Sequence, residues 1–445
     1  MAKKKQIELT IEEKLQNALV PKEEQPYKIP SNWCWIRLEN IAEWGSGGTP
    51  SRKRKEYYNG NIPWIKTGEL NNGYIFNSEE KITELGLKNS SAKLYPINTV
   101  IIAMYGATIG KVGILSIEAT TNQACACAIV YKNILFKYVF HYLIYQKEAF
   151  INKSKGGAQP NLSQEIIKKH EIPLPPIKEQ QRIVNIIESL FAKLDRAKEL
   201  IENTLAQFEQ NKMAILHKAF TGELTAKWRK ENNIDLSSWK KCELKEVFKV
   251  VKDKYNPQTE NQIVNYIGLE NIETSKGIIS KNNSSEVKSI KTKFKKNDVL
   301  YGKLRPYLNK HDVVNFDGIC STDILVFRFN DINTAKYINY YFNLPMFIQY
   351  AVENSSGINL PRVSEKTISK YKISLPTIEE QQEIVNILDN LLAKYNKIKN
   401  LEQQLEKIEL LKKAILAKAF RGELGTNNPD EESAENLLKE ILAEK

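Results

Sequence analysis

Two long segments of the chain place an apolar residue at every third or fourth position. In the first segment, one set recurs every seven residues, namely Ile187, Leu194, Ile201, Phe208 and Ile215. In the second segment, a spacing that alternates between four and three runs from Ile384 to Ile398, after which Leu401 comes one residue early. A seven-residue apolar repeat of this length predicts coiled-coil helices, and the early residue predicts a local change of winding.

Prolines and glycines indicate where these helices begin and end. Pro175 and Pro376 stand just before the two segments, and a proline prevents an earlier start. Acidic residues in each first turn suit the positive end of the helix dipole. The glycines of AFTGEL and AFRGEL predict the ends, because glycine readily adopts the left-handed conformation that terminates a helix. The first helix is therefore expected to include residues 178–219.

The two helical segments are also near copies of each other. The first reads IKEQQRIVNIIESLFAKL from Ile177, and the second reads IEEQQEIVNILDNLLAKY from Ile378. Fainter matches continue outside the helices: Trp33 with Trp239, PWIKTGEL (63–70) with NYIGLENI (265–272), NTVIIAMYG (98–106) with NDVLYGKLR (297–305), and TTNQA (120–124) with CSTDI (320–324). The chain is therefore predicted to be a tandem duplication, in which each half has a divergent globule followed by a helix.

Outside the helices, apolar residues come in short runs separated by glycine, asparagine and proline. TVIIAM (99–104), ACAIVY (126–131) and DILVFRF (323–329) predict short strands, and aromatic-rich segments at 138–152 and 335–352 predict core helices. The predicted fold class is α/β (mixed α+β), with two globular domains of short mixed strands, separated by two long antiparallel coiled-coil helices in a pseudo-twofold tandem duplication. Packing of each helix on its own globule alone is the alternative.

These patterns divide the chain into six segments. They are an N-terminal helical segment (1–26), a first globular domain (27–176), a first helical spacer (177–226), a second globular domain (227–377), a second helical spacer (378–424) and a C-terminal tail (425–445). The opening stretch MAKKKQIELTIEEK has no apolar run behind its basic residues, so it does not resemble a secretory signal.

The composition of the chain is basic. Among 445 residues, 65 Lys+Arg stand against 53 Asp+Glu, which gives a net charge of +12, and residues 240–311 contain 16 of these basic residues against 8 acidic ones. A basic protein is a candidate for binding a polyanion, and a lysine-rich surface that serves solubility is the alternative. No apolar run reaches the ~18 residues that a membrane helix needs, so the chain is expected in the cytoplasm.

Catalytic and metal-binding motifs are missing from the sequence. The segment from Gly106 to Gly110 has one residue too few for a phosphate-binding loop, and Val112 stands where that loop needs a hydroxyl. Cys125 and Cys127 are expected on one face of a strand in the core, and neither a zinc site nor a disulfide is expected. A basic, duplicated protein without a catalytic constellation is predicted to be a binding protein.

Two basic, aromatic, turn-rich loops are the first candidates for nucleic-acid contact, SRKRKEYYNGN (51–61) and KLRPYLNK (303–310). Arg and Lys can neutralise phosphates and read guanine, while Asn and Gln can read adenine. A solvated loop is the alternative in each case. Together with matching segments of both halves, the candidate DNA-binding residues are Arg52, Lys53, Arg54, Tyr57, Lys66, Thr67, Tyr105, Lys111, Asn122, Gln123, Lys155, Gln159, Lys303, Arg305, Tyr307, Lys310, Thr322, Asp323 and Arg362.

Several of these phrases together closely resemble the DNA-specificity subunit of type I restriction-modification enzymes. They are IPLPPIKEQQRIV and its repeat ISLPTIEEQQEIV, both AF-x-GEL endings, GGTPSRKRKEYYNGNIPWIKTGEL and YGATIGKVGI, and the likeness extends over residues 27–424. The resemblance implies that each globule is a target recognition domain that reads one half of a split sequence in double-stranded DNA. The second globule lacks the GGTPSRK and YGATIGK phrases, so contacts inferred for the first transfer poorly to it.

The same resemblance implies partner subunits. Two methyltransferase subunits would bind the helical spacer, whose length would set the gap in the DNA target, and restriction subunits would join through the methyltransferase. This chain would hold no cofactor, because S-adenosylmethionine, ATP and Mg would belong to the partner subunits. A modification-only or related bipartite-site methyltransferase complex is one alternative, and a coiled-coil scaffold that reads no bases is another.

Polar residues in the first turn of each long helix are the candidates for contact with a partner. Helix-to-globule locking and plain helix capping are the alternatives for these positions. The residues are Glu179, Gln180, Gln181, Glu380, Gln381 and Gln382.

Overall fold

Contacts between residues divide the chain into two units, each of which includes part of both long helices. The computed structural model describes residues 9–154, 161–260, 262–274 and 276–444, without the side chains of 286, 392 and 394–400. Unit 1 comprises the chain up to Glu199 together with the chain from Gln404 onward, and unit 2 comprises Leu200–Gln403. The predicted helical spacers are therefore shared between the two units.

In the described part of the chain, unit 1 contains ten short strands, five of which form its largest sheet, a mixed one. The strands of unit 1 are β1 Cys34–Arg37, β2 Ala42–Ser46, β3 Tyr58–Ile65, β4 Gly73–Ile75, β5 Glu80–Ile82, β6 Val100–Ala103, β7 Val112–Leu115, β8 Thr120–Thr121, β9 Cys125–Val130 and β10 Glu171–Leu174. The sheets have the orders β2-β9-β6-β7-β4, β5-β3-β8 and β1-β10. The helices are α1 Ile11–Ala18, α2 Glu84–Lys88, α3 Phe136–Tyr145, α4 Lys147–Lys153, α5 Gln164–Lys168 and α6 Ile177–Thr221.

Unit 2 repeats much of this topology. Its strands are β11 Lys240–Glu243, β12 Lys249–Val250, β13 Lys254–Tyr255, β14 Asn265–Ile267, β15 Ile272–Glu273, β16 Gly277–Ile278, β17 Asn282–Asn283, β18 Lys291–Phe294, β19 Val299–Gly302, β20 His311–Val313, β21 Gly318–Cys320, β22 Ile324–Arg328, β23 Ser355–Ser356, β24 Arg362–Val363 and β25 Lys372–Leu375. The helices that follow α6 are α7 Ala226–Glu231, α8 Ile332–Tyr341, α9 Pro345–Glu353, α10 Glu365–Ser369 and α11 Ile378–Phe420.

Equivalent strand pairs confirm the predicted duplication. The two larger sheets have the orders β12-β22-β19-β20 and β13-β18-β21-β14-β17, beside the pairs β11-β25, β15-β16 and β23-β24. The antiparallel pair β6-β9 of unit 1 corresponds to β19-β22 of unit 2, and β1-β10 corresponds to β11-β25. The parallel pair β3-β8 likewise corresponds to β14-β21. Both units therefore share one set of equivalent strand pairs, called the frame, although their loops differ in length.

The predicted strands and core helices are confirmed. β6, β9 and β22 lie in the three apolar runs, and α3, α4, α8 and α9 lie in the two aromatic-rich segments. β6 is buried on both faces, with Val100 in one apolar cluster and Ile101 in another. Cys125 and Cys127 share the second cluster with Ile101, as their spacing predicts. All five cysteines are free thiols.

The long helices begin and end where proline and glycine predict. α6 and α11 each start two residues after their proline. Gly222 follows α6 with φ of +82°, and Gly422 follows α11 with φ of +74°. A side chain is strained at these angles, so glycine is the residue that allows the chain to leave the helix here.

Within unit 1 the two long helices run antiparallel. Asp195 of α6 pairs with Lys412 of α11, and Lys198 of α6 pairs with Glu409 at 3.1 Å. The position on α11 falls as the position on α6 rises, which only antiparallel helices allow. In unit 2, Leu216 and Ala219 near the end of α6 pack in one cluster with residues at the start of α11, namely Ile384, Val385 and Leu388.

Burial along α6 is concentrated at its two ends. Ile183 and Ile187 are fully buried in unit 1, and Leu216 is buried in unit 2. The predicted seam positions between them, such as Leu194 and Phe208, are only half-buried. The globules therefore bury the ends of the helix, while these middle positions of the apolar seam stay partly exposed.

A buried glutamate in the first turn of each long helix accepts a hydrogen bond from the tryptophan that precedes the first strand of the adjoining globule. Glu179 accepts a hydrogen bond from Trp33 Nε1 at 2.8 Å, and Glu380 accepts one from Trp239 Nε1 at 2.8 Å. Both carboxylates are completely buried. A buried carboxylate is costly unless donors surround it, so these bonds fix the helix start against the globule.

The same two glutamates also bind the segment that follows the other long helix. Thr225, beyond the end of α6, donates to Glu380 at 2.6 Å, and Arg229 forms an ion pair with Glu380. Thr426, beyond the end of α11, donates to Glu179 at 3.1 Å. Each carboxylate therefore joins a helix start, a globule and the exit from the opposite helix.

The glutamine after each glutamate is buried as well. Gln180 donates to the carbonyl of Pro175 at 3.0 Å and accepts from the backbone of Leu135 at 2.9 Å. Gln381 donates to the carbonyl of Pro376 at 2.8 Å and accepts a hydrogen bond from the hydroxyl of Thr334 at 2.7 Å. These contacts join the helix start to α3 or to α8.

Burial corrects the expected role of four of the six first-turn residues. Glu179, Gln180, Glu380 and Gln381 are at most 2% exposed, so they offer no surface to a partner. They lock the helices to the globules, which is the alternative that the sequence left open. Of the six, the two that stay exposed are Gln181 and Gln382.

At the end of each long helix, a phenylalanine packs against aromatic residues of a globule. Phe420, at the end of α11, lies edge-on to Tyr138 and Tyr142 of α3, with ring centroids 5.2 and 5.0 Å apart. Phe220, near the end of α6, makes the equivalent contacts with two residues of α8, at 5.1 and 4.8 Å, namely Tyr337 and Tyr341. The Phe of AF-x-GEL is therefore part of the core in both units.

The predicted C-terminal tail contributes a core element of unit 1. Helix α12 spans Ala434–Glu444, and its residues Leu438 and Ile441 are buried with Leu15 and Ala18 of α1. The segment between α11 and α12 is held by a bond from the backbone of Ala434 to the carbonyl of Asn32, at 2.9 Å. The N-terminal and C-terminal segments thus pack together.

We predict that Glu380→Gln destabilises unit 2 more than Glu179→Gln destabilises unit 1. The first change leaves the buried Arg229 without its counterion, at a cost of about 3–5 kcal/mol. The second change affects only neutral donors, those of Trp33 and Thr426, which lose a charged acceptor at a cost of about 1–3 kcal/mol. Hydrogen exchange measures the opening free energy of each unit separately. The exposed neighbour Glu379→Gln is the control, and equal losses for the two buried sites would contradict the prediction.

Unit 1 is also predicted to lose stability on mild acidification. Burial lowers the pKa of His141 to about 4 and that of His170 to about 3. The unfolded chain binds these protons from about pH 6.5 downward, so the unfolding free energy falls as pH drops from 6.5 towards 4. His141→Phe should reduce this slope by up to about 1.4 kcal/mol per pH unit, measured by hydrogen exchange between pH 6.5 and 5. An unchanged slope in His141→Phe would contradict the prediction.

Candidate nucleic-acid interface

In unit 1, many of the predicted DNA-binding residues lie next to strand ends of two sheets, β2-β9-β6-β7-β4 and β5-β3-β8. β6 ends at Ala103, directly opposite Cys125, where β9 begins. The parallel strands β3 and β8 end side by side at Ile65 and Thr121. These neighbouring strand ends, at Ile65, Ala103, Thr121 and Cys125, are together called the strand-end edge. The candidates next to these strand ends are Lys66, Thr67, Tyr105, Lys111, Asn122 and Gln123.

Backbone hydrogen bonds hold the loops of this edge together. Asn122 N–H donates to the carbonyl of Ile65 at 2.9 Å, and Met104 N–H donates to that of Ala124 at 2.8 Å. The loop at 47–50 joins them, because a Cβ on Gly47 would stand 2.2 Å from the carbonyl oxygen of Thr121. Glycine is therefore required for this loop to lie so close to the edge.

Arg52 and Lys66 meet on one carboxylate at the border of the edge. Arg52 forms two hydrogen bonds with Glu80, at 2.6 and 3.3 Å, and Lys66 contacts Glu80 at 3.0 Å. The guanidinium lies over the rings of Tyr58 and Trp64, 4.5 and 4.9 Å from their centroids. Hydrogen bonds from Arg52 and Lys66 hold the pKa of Glu80 below its usual range. The strand pairing places Glu80 opposite Trp64.

The other candidates of unit 1 differ in exposure. Lys53, Arg54 and Gln123 are exposed, and Arg54 pairs with Glu56 at 3.3 Å. Tyr105 is 40% exposed. The half-buried candidates are Tyr57, Thr67, Lys111 and Asn122. Lys155 and Gln159 lie outside the described residues.

Unit 2 has the same strand-end edge with different side chains. β19 ends at Gly302, opposite Ile324, where β22 begins. Lys303 N–H donates to the carbonyl of Asp323 at 2.9 Å, which is the counterpart of the bond between Met104 and Ala124. Ala124 therefore corresponds to Asp323, one position away from the match between TTNQA and CSTDI that the sequence suggested.

Lys303 and Arg362 meet on Asp323 at this edge. Arg362 Nε donates to Asp323 at 3.3 Å, and Lys303 Nζ lies 4.0 Å from the same oxygen. Backbone contacts join all three, because Val363 N–H donates to the carbonyl of Lys303 at 3.0 Å and Leu304 pairs with Arg362.

The remaining candidates of unit 2 surround a turn at 305–310. Arg305 is exposed, has φ of +52° and donates its backbone N–H to the carbonyl of Pro361 at 2.7 Å. Tyr307 is 53% exposed, and Thr322 is exposed on the neighbouring loop. The Lys310 ammonium donates to the carbonyl of Leu269 at 2.7 Å, so its charge is directed into the globule.

Over residues 9–154, 161–260, 262–274 and 276–444, no group of three or more His, Cys, Asp or Glu is arranged to hold a metal ion. None of the described helices combines the length and the apolar character needed to cross a bilayer.

Comparisons with known proteins agree with this architecture. The family model described as the type I restriction modification DNA specificity domain matches residues 30–207 and 237–410. The EcoDI specificity subunit from Escherichia coli is 28% identical over 454 residues, with 94% of this chain and 96% of that protein covered. The MjaIX specificity subunit from Methanocaldococcus jannaschii is 26% identical over 415 residues, covering 89% and 94%.

Solved structures share the fold. The HsdS subunit from Thermoanaerobacter tengcongensis has a TM-score of 0.55 at 20% identity, with 90% of this chain and all of that chain covered. A chain from work on complex assembly and conformational transition of the type I R-M system has a TM-score of 0.66 at 19% identity, with the same coverage. Since the family model matches most of the chain in two successive copies, the chain belongs to the type I restriction modification DNA specificity family.

Proposed function

We propose that the chain is the DNA-recognition subunit of a type I restriction-modification enzyme, in which each unit reads one half of a bipartite target in double-stranded DNA. The observation that carries the proposal is the strand-end edge, which has the same backbone frame in both units but different side chains. One frame with two sets of side chains suits two half-sites of different sequence. Cations and amides at the edge suit phosphates and base edges.

The long helices are proposed to act as a spacer between the two readers. α6 continues without a break from unit 1 into unit 2, and its ends are locked by Glu179 and by the contacts of Phe220. A stiff helix transmits a distance and a rotational phase, and the same groove of DNA recurs about every 34 Å. The gap between half-sites is therefore proposed to depend on the helices and not on base contacts.

Partner subunits would supply the chemistry. The duplicated helix starts would give two methyltransferase subunits equivalent docking faces, with Gln181 and Gln382 as the exposed first-turn candidates. S-adenosylmethionine, ATP and Mg are proposed to bind those partners, and restriction subunits would join through the methyltransferase. The chain itself is proposed to be non-catalytic and to act in the cytoplasm.

Replacement of residues 31–172 by those of a family relative with a different target tests the split reading. We expect the complex with the methyltransferase to methylate a new sequence in one half-site and the original sequence in the other, with the gap unchanged. Mapping of methylated adenines in exposed DNA is the measurement.

The unaltered complex and the isolated chain are the controls. The unaltered complex should mark a bipartite site, and the isolated chain should transfer no methyl groups. Methylation of one continuous short site would refute the split reading, and a swap that changed neither half would favour a scaffold that reads no bases.

A further inference from the structure

Each unit contains one carboxylate that holds two cations at its strand-end edge. Cluster 1 consists of Arg52, Lys66 and Glu80, and cluster 2 consists of Lys303, Asp323 and Arg362. We infer that Glu80 and Asp323 are positioning residues for specificity, which hold these cations for reading an acceptor-rich base edge, that of guanine, and limit their attraction to phosphate. The inference rests on the proposed function.

The charge balance of cluster 1 argues against simple phosphate binding. In cluster 1, the carboxylates of Glu79 and Glu80 balance Arg52 and Lys66 within 3.3 Å. A cation that is already paired adds little to the neutralisation of DNA phosphates, and the carboxylate itself repels them. A non-specific basic surface would carry unpaired lysines in this place.

The donors of cluster 1 are nevertheless available and fixed. A guanidinium has five N–H donors, and the bonds between Arg52 and Glu80 use two of them. Tyr58 and Trp64 support the flat face of Arg52, and Trp64 is itself held by a bond from Nε1 to the carbonyl of Gly48 at 2.9 Å. A rigid donor fork loses little entropy when it binds the two acceptors of guanine.

Cluster 2 leaves a different set of donors free for the same task. Asp323 binds Arg362 through Nε, so the bond leaves both terminal nitrogens of the guanidinium for another acceptor pair. The side chain of Arg362 is 46% exposed, against 30% for Asp323. The carboxylate is therefore the inner member of the cluster, and the cation is the outer one.

The two clusters occupy different places in the same frame. Strand pairing makes Gly268 the counterpart of Lys66 and Asn282 the counterpart of Glu80, so unit 2 has uncharged residues at these two positions of cluster 1. A shared structural ion pair would be expected at equivalent positions.

The reverse comparison gives the same result. In unit 1 the frame positions of Lys303, Asp323 and Arg362 are taken by three uncharged residues, Met104, Ala124 and Asn161. The clusters thus belong to the part of each unit that differs, as readers of two different half-sites must.

Glu80→Gln tests the inference in the complex with the methyltransferase, through methylated-adenine mapping and DNA binding at several salt concentrations. We expect discrimination at a guanine of one half-site to fall about tenfold or more, with the other half-site unchanged. Affinity for unrelated DNA should rise, with a salt dependence steeper by about one ion, because a cation is released to phosphate. Asp323→Asn should reduce base discrimination in the other half-site only.

Glu24→Gln is the matched control, because it removes the same charge from an ion pair with an arginine of the same unit, Arg37, that is not among the candidate DNA-binding residues. It should leave base discrimination intact. A uniform loss of affinity for all sequences in Glu80→Gln would assign Glu80 a structural role and overturn the inference, as would unchanged discrimination. The unaffected half-site reports that the variant is folded. A continuous site for the unaltered complex would instead refute the proposed function.

Discussion

A desolvated carboxylate at the first turn of each long helix governs the arrangement of the chain around it. A charge that is removed from water must be surrounded by donors, and neither Glu179 nor Glu380 finds them within its own helix. The globule supplies an indole N–H, and the segment beyond the opposite helix supplies a hydroxyl. Three distant parts of the sequence are thereby brought to one point in each unit.

This arrangement separates the frame from the side chains that differ. Tryptophan, glutamate, glutamine and phenylalanine repeat in both units at the helix ends, where burial leaves little freedom. At the strand-end edge the equivalent contacts run between backbone groups, such as Met104 to Ala124 and Lys303 to Asp323. Backbone bonds do not depend on side-chain identity, so the edge can change its residues without losing its shape.

Much of the fold could be predicted because its signals are local. Pro175 and Gly222 bound a helix by their own backbone preferences, and the short apolar runs gave strands. The role of Glu179 could not be predicted, because an acidic first turn serves capping, partner contact and locking equally well. Glu80 was missed altogether, since its partners Arg52 and Lys66 lie 28 and 14 residues away with no periodic pattern to connect them. Helix α12 had a readable signal in the spacing of Leu438, Ile441 and Leu442.

The contribution of α12 to unit 1 affects the order in which the molecule can be completed during synthesis. Unit 2 is one continuous stretch, so all of its residues have left the ribosome once Gln403 has emerged. Unit 1 begins first, yet part of its core, including Leu416, Phe420 and Leu438, is made last. Until then the residues that pack against these three, such as Tyr138 and Leu15, lack that cover. During synthesis, unit 2 can therefore complete its fold before unit 1 does. The first half of the chain must avoid aggregation until the residues from Gln404 onward have been made.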